Sequence, residues 1–171
     1  MADMLVNLMH LPEKDSLVSR LKSKGIYIRR ALPPDKLRIV EWVRQNHGIS
    51  AASECDVCFA HSPVSCYIAT RGFDILGFGC YNATAPDFFG PTFVLPSERG
   101  QGVGKALLLS CLHALRETGY AYGIIGSIGP QEYYETCVGA VLIPDSTPGL
   151  YKDYLGGIEN GEVQLESEEK E

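Results

Sequence analysis

Between Phe93 and Leu109 the chain reads FVLPSERGQGVGKALLL, and this stretch limits what the rest can be. An apolar, β-prone run stops at Pro96 and a basic, glycine-rich turn follows. Val103, Ala106, Leu107 and Leu109 then recur at helical spacing. Strand, turn and helix N-terminus therefore follow one another directly. The first turn of a helix has N–H groups without intrahelical partners, and its dipole attracts negative charge, so this junction suits an anion. Gly100, Gly102 and Gly104 let the backbone approach a phosphate closely. Arg99 and Lys105 can add charge-assisted contacts, although Lys105 equally fits a solvated first-turn side chain.

Three phosphate loops can be compared with it. A Walker loop needs a glycine five positions before the Gly-Lys pair, where Arg99 stands, and a hydroxyl after the lysine, where Ala106 stands. A dinucleotide fingerprint needs G-x-G-x-x-G, and Gly100, Gly102 and Gly104 give G-x-G-x-G. Arg99-Gly100-Gln101-Gly102-Val103-Gly104 matches R-x-x-G-x-G, with Val94-Leu95-Pro96 before it and Ala106-Leu107-Leu108 after it. This resembles the acetyl-CoA pyrophosphate loop of the GNAT acetyltransferase superfamily.

The resemblance implies an α/β (in some schemes α+β) GNAT fold with a mixed, mostly antiparallel sheet. That sheet would have about six to seven strands flanked by helices, splayed at the fourth and fifth strands. It further implies acetyl-CoA as co-substrate, held by Phe93, Val94 and Leu95 along a strand edge. Arg99, Gly100, Gln101, Gly102, Val103, Gly104 and Lys105 would grip its diphosphate. A homodimer is expected on the same ground.

The remaining chain fits that order. Residues 1–24 read as an ancillary arm, with a short amphipathic helix near Asp15 to Lys22, packed on the body or on a second subunit. Ile26 to Leu32 alternates as a first strand, Pro33-Pro34-Asp35 launches a helix that ends at His47-Gly48, and a second helix covers Ala51 to His61. Ser65 to Thr70, Ile75 to Asn82 and Phe88 to Leu95 are strand-like. A helix from Val103 to Thr118 is closed by Gly119, Tyr120 to Ser127 is a fifth strand, Gln131 to Cys137 a short helix, and Ala140 begins a sixth strand. Leu150 to Leu155 reads as a last strand or a docking segment. The GNAT domain spans residues 25–155, and residues 156–171 form an acidic tail with too few apolar residues to order itself.

The formal charge of -6 sits largely in that tail, so neither nucleic acid nor an anionic membrane surface is an indicated partner. No stretch approaches the roughly 20 apolar residues of a membrane span, and no signal peptide is seen, so a cytoplasmic location is expected. Six cysteines scattered in apolar surroundings suit reduced core thiols. Cys55-x-x-Cys58-x-x-His61 invites a zinc reading, but a second paired motif is missing and Pro63 follows at once, so no metal is expected.

Acyl transfer needs a group to take the amine proton, donors for the developing oxyanion, and an acid for the departing thiolate. Gly129 to Glu135 resembles the GNAT segment that brings a tyrosine phenol to the CoA sulfur, which makes Tyr134 the expected general acid, with Tyr133 as fallback. The departure is one extra residue between Tyr134 and Gly139, with Ala140 in place of the common aromatic. Asp87, Glu54 and His61 remain open as bases, each also readable as a solvated residue or cap. The leading expectation is an acetyl-CoA-dependent N-acetyltransferase that acts directly on an amine of a small molecule or peptide. The alternative is a non-catalytic acyl-CoA-binding module of the same fold.

Overall fold

The computed structural model describes residues 2–159 and 162–164. Its strands are β1 (Met4–Asn7), β2 (Tyr27–Arg30), β3 (Cys66–Arg71), β4 (Asp74–Tyr81), β5 (Phe88–Val94), β6 (Tyr122–Ile125) and β7 (Val141–Leu142). These seven form one mixed sheet in the order β2-β3-β4-β5-β6-β1-β7. Neighbours run antiparallel except for the parallel pair β5 and β6. The helices are α1 (Asp15–Ser23), α2 (Lys36–His47), α3 (Ile49–Val57), α4 (Val103–Glu117) and α5 (Gln131–Val138).

β4 is buried along almost its whole length, as expected for a strand covered on both faces, where an apolar run replaces alternation. One face packs Ile68, Phe78 and Cys80 against Ile39 and Val43 of α2 and Ala52 and Cys55 of α3. The other face takes α4, whose Leu107, Leu108, Leu109 and Leu112 are fully buried. Burying each such leucine is worth about 1.5–3 kcal/mol. Gly77 sets how closely α4 can lie: a Cβ there would sit 2.8 Å from the Phe93 carbonyl and 3.3 Å from Leu107 Cδ1.

The N-terminal segment differs from the sequence expectation. Residues 1–24 are not only an arm, because β1 runs antiparallel between β6 and β7, with Met4 opposite both Ile125 and Leu142. Met4, Val6 and Leu8 are completely buried. Their spacing of two is the strand signal, short enough at a chain end to be overlooked. The helix expected near Asp15 is α1, whose first turn is capped by Glu13, accepting from the Asp15 and Ser16 N–H groups at 2.8 and 3.2 Å.

Elsewhere the elements fall close to their expected bounds, displaced by one strand number because β1 comes first. The second helix is shorter, since α3 gives way to a 3-10 turn at Cys58–Ala60. Leu150 to Leu155 holds a 3-10 turn at Gly149–Tyr151 rather than a strand. In the acidic tail, Gly157–Glu159 (β8) and Glu162–Gln164 (β9) pair as a two-stranded ribbon. Residues 160, 161 and 165–171 lie outside the described residues. Among the described residues, no helix is long and apolar enough to cross a membrane.

Because β1 sits inside the sheet, Met4→Ala should cost about 2–5 kcal/mol in denaturant-induced unfolding. A loss below about 0.5 kcal/mol, the value for a surface site, would restore the arm.

Candidate active site

β5 and β6 pair only at Phe88 with Ile124 and Phe89 with Ile125. Two residues further along β5, Pro91 has no N–H to offer a neighbour. On the other side β5 continues antiparallel to β4 as far as Val94, opposite Gly77. The Leu95 N–H bonds the Leu76 carbonyl at 2.9 Å. By the alternation of an antiparallel ladder, Phe93 also faces β4, while Thr92 and Val94 turn their backbone groups into the gap. A cavity of about 1410 Å³ fills that gap, bounded by β5, α3, the start of α4 and the segment from Gly126 into α5.

At one end stands the glycine loop. Gly100 (φ 79°) and Gly102 (φ 96°) occupy left-handed conformations that a side chain would strain. No side chain caps α4, and its first internal bond runs from the Ala106 N–H to the Gly102 carbonyl. The N–H groups of Val103, Gly104 and Lys105 thus lack intrahelical partners, with no acidic residue in that turn. Arg99 is held in place as Nε donates to the Val94 carbonyl at 3.1 Å and its guanidinium lies 5.6 Å from the Phe93 ring centre.

Of the residues expected to hold the cofactor, Phe93, Val94, Arg99, Gly100, Gly102, Val103, Gly104 and Lys105 border the cavity. Leu95 and Gln101 are placed elsewhere. Leu95 spends its N–H on Leu76 and borders a separate hollow beside Trp42. Gln101 donates to Glu98 at 3.0 Å, and Glu98 takes a two-pronged contact from Arg71 at 2.8 and 2.9 Å, which ties down the turn before the loop. Sequence reading missed Arg20 of α1, whose Nη2 lies 3.1 Å from where a Gly102 Cβ would sit. Nothing local could link the two, since their proximity comes from α1 packing on α4.

Tyr133 and Tyr134 both line the cavity, with ring centres 5.0 Å apart and edge-on. The Tyr133 hydroxyl lies at the glycine loop, 3.2 Å from the position of a Gly104 Cβ. Tyr134 is set into the core with only 8% of its surface exposed. Burial pushes both phenols upward, so both stay protonated at neutral pH.

The opposite end carries Glu54 on α3. Its Oε1 accepts from Thr84 Oγ1 at 2.5 Å and from Tyr151 Oη at 3.3 Å, and all three residues line the cavity. The other two candidate bases do not line it. His61 Nδ1 meets Ser65 Oγ at 2.7 Å, and Asp87 has a buried Oδ1 without a hydrogen-bond partner among the described residues. Burial raises the Asp87 carboxyl above its usual range. His47, which sequence reading treated only as a helix end, stacks on Phe93 at 5.0 Å on the cavity wall, and burial lowers its pKa. The Cys55 thiol lies with Cys66 and Cys80, away from this cavity.

Comparison with solved structures finds the same fold. One is the GCN5-related glucosamine N-acetyltransferase region of a fungal multi-domain beta-N-acetylglucosaminidase, with TM-score 0.66, 11% identity, and coverage of 83% of this chain and 19% of that one. A second is a GCN5-related N-acetyltransferase from Sphaerobacter thermophilus, with TM-score 0.58, 18% identity, and coverage of 83% and 48%. A third is a GNAT acetyltransferase from Brucella melitensis in complex with acetyl-CoA, with TM-score 0.51, 20% identity, and coverage of 69% and 86%. The chain thus spans less than half the length of the first two. No curated protein matches it. The model of the acetyltransferase (GNAT) family matches residues 33–135, more than half of the chain and all of the strand, loop and helix that frame the cavity, and the chain belongs to that family.

Proposed function

We propose that this chain is an N-acetyltransferase that passes the acetyl group of acetyl-CoA directly to the amine of a small polar molecule. The observation that carries the reading is the gap between β5 and β6. It has an uncapped, glycine-lined helix N-terminus at one end and a hydrogen-bonded carboxylate at the other. When bound, acetyl-CoA supplies the acyl group as a thioester already activated toward amines.

The chain's own groups then divide the work. Free N–H groups of Val103, Gly104 and Lys105 face the diphosphate, with Arg99 and Arg20 adding positive charge. Thr92 and Val94 offer backbone N–H groups to the pantetheine arm and to the oxygen on which charge develops. Glu54 holds the incoming amine as its ammonium ion and takes the proton that must leave before attack. As the carbon–sulfur bond breaks, Tyr134 gives its phenolic proton to the departing sulfur and is restored, through solvent, by the second proton that the nitrogen sheds in becoming an amide. Tyr133 is assigned to the phosphate end because its hydroxyl already lies against Gly104.

A hydroxyl-rich wall of Ser50, Ser53, Thr84 and Tyr151 around the only carboxylate on the described lining suits a small hydroxylated amine better than an apolar one. A fungal relative in fold acts on glucosamine, which has that chemistry. A peptide amine is the second acceptor class. A non-catalytic acyl-CoA-binding module would show tight CoA binding with no turnover on any amine of either class.

Arg99→Ala and Gly104→Glu should each weaken CoA binding at least about tenfold, or about 1.4 kcal/mol, in calorimetric titration with little change in Tm. Unaltered affinity in both would reject the loop. Tyr134→Phe should lower kcat by about a hundredfold while CoA affinity is kept. Since burial raises the phenol, its proton is lost only above the ordinary value of about 10, so wild-type kcat should show no alkaline fall below that pH. A fall near neutrality would assign the acid to another group. Glu54→Gln should cut kcat/KM for the amine by about ten- to a hundredfold while CoA affinity is kept. An unchanged kcat/KM would remove Glu54 from the reaction.

A further inference from the structure

On the face of the sheet covered by α2 and α3, thiols from three elements converge. The Sγ atoms of Cys55, Cys66 and Cys80 all lie within 4.8 Å of one another, and all three residues are fully buried. Cys66 and Cys80 are direct cross-strand partners of β3 and β4, and Cys55 reaches down from α3. Cys58 begins the following 3-10 turn, is also fully buried, and lies within thiol hydrogen-bonding reach of Cys80. Ala31, Ile39, Val43, Ile68 and Phe78 close the surroundings. Packing alone asks for volume at these positions, which alanine, valine or leucine supplies without placing sulfurs together.

We propose that Cys55, Cys58, Cys66 and Cys80 form a zinc(II) site. Three sulfurs gathered together, with the Cys58 thiol on the adjoining 3-10 turn as the fourth, supply the donor set of closed structural zinc centres, which are tetrahedral and redox-inert. A Zn–S bond of about 2.3 Å sets ideal sulfur separations near 3.8 Å, so the trio need contract by at most about 1 Å. Binding releases the thiol protons to solvent as the sulfurs become thiolates. In the sequence the C-x-x-C pair at Cys55 and Cys58 lacks a second paired motif, and His61 turns to Ser65. The second pair comes from β3 and β4. Cys55 follows Glu54 in the chain, so the ion would tether the acceptor wall of the cavity to the sheet without touching the reactants.

The test uses the full chain, loaded with zinc, passed through gel filtration and assayed for metal, then refilled with cobalt(II). The site predicts equimolar zinc, an intense sulfur-to-cobalt absorption band, loss of both in Cys66→Ala, and retention in Cys111→Ala, a buried thiol outside the cluster. Zinc well below equimolar, cobalt bound without the sulfur band, or equal binding by Cys66→Ala would overturn it. Should Cys66→Ala fail to fold, the wild-type cobalt spectrum alone decides, and absence of the band rejects the site.

Discussion

The structure depends on one interruption: hydrogen bonding between β5 and β6 stops after Phe89 and Ile125. A parallel pair normally continues until one strand ends, because unpaired backbone groups away from water are costly. Here β5 runs on to Val94 with only β4 beside it, leaving the N–H groups of Thr92 and Val94 turned into a cavity. Pro91, which has no N–H, stands at the start of that stretch, where the β4–β5 register also shifts.

Everything near the break serves to place the end of α4 beside it. Gly77 lets α4 lie close on β4, and a Gly104 Cβ would stand 3.7 Å from Val94 Cγ2, so helix start and open strand edge are adjacent. The ion pair of Arg71 with Glu98 and the Arg99 contact to the Val94 carbonyl hold the intervening turn. Exposed pairs of this kind contribute little to stability, and their value here is positional. The resulting surface is a row of donors without an acceptor, which favours an anionic, extended ligand before any side-chain chemistry is considered.

What was legible in the sequence was local. The passage from strand to glycine turn to helix at Phe93 to Leu109 uses periodicities of two and 3.6 that lie side by side, and the structure places β5 and α4 there. What escaped notice was set by distant pairing. β1 is four residues long and its partner Ile125 lies far along the chain from Met4. Arg20 meets Gly102 only because α1 folds onto α4, and Glu54 is marked as more than a solvated carboxylate only by Thr84 and Tyr151, neither near it in sequence. Leu95 and Gln101 fall inside the same motif, and the structure gives the Leu95 N–H to Leu76 and the Gln101 side-chain amide to Glu98. The thiol cluster followed the same rule, since two of its members arrive by strand register.

The most direct measurement follows backbone amide resonances while CoA is added to the isotope-labelled chain. If the uncapped start of α4 holds the diphosphate, the largest shifts fall on Gly102, Val103, Gly104 and Lys105, with a second group at Thr92 and Val94. Shifts confined to other parts of the molecule, or none at saturating CoA, would contradict the account.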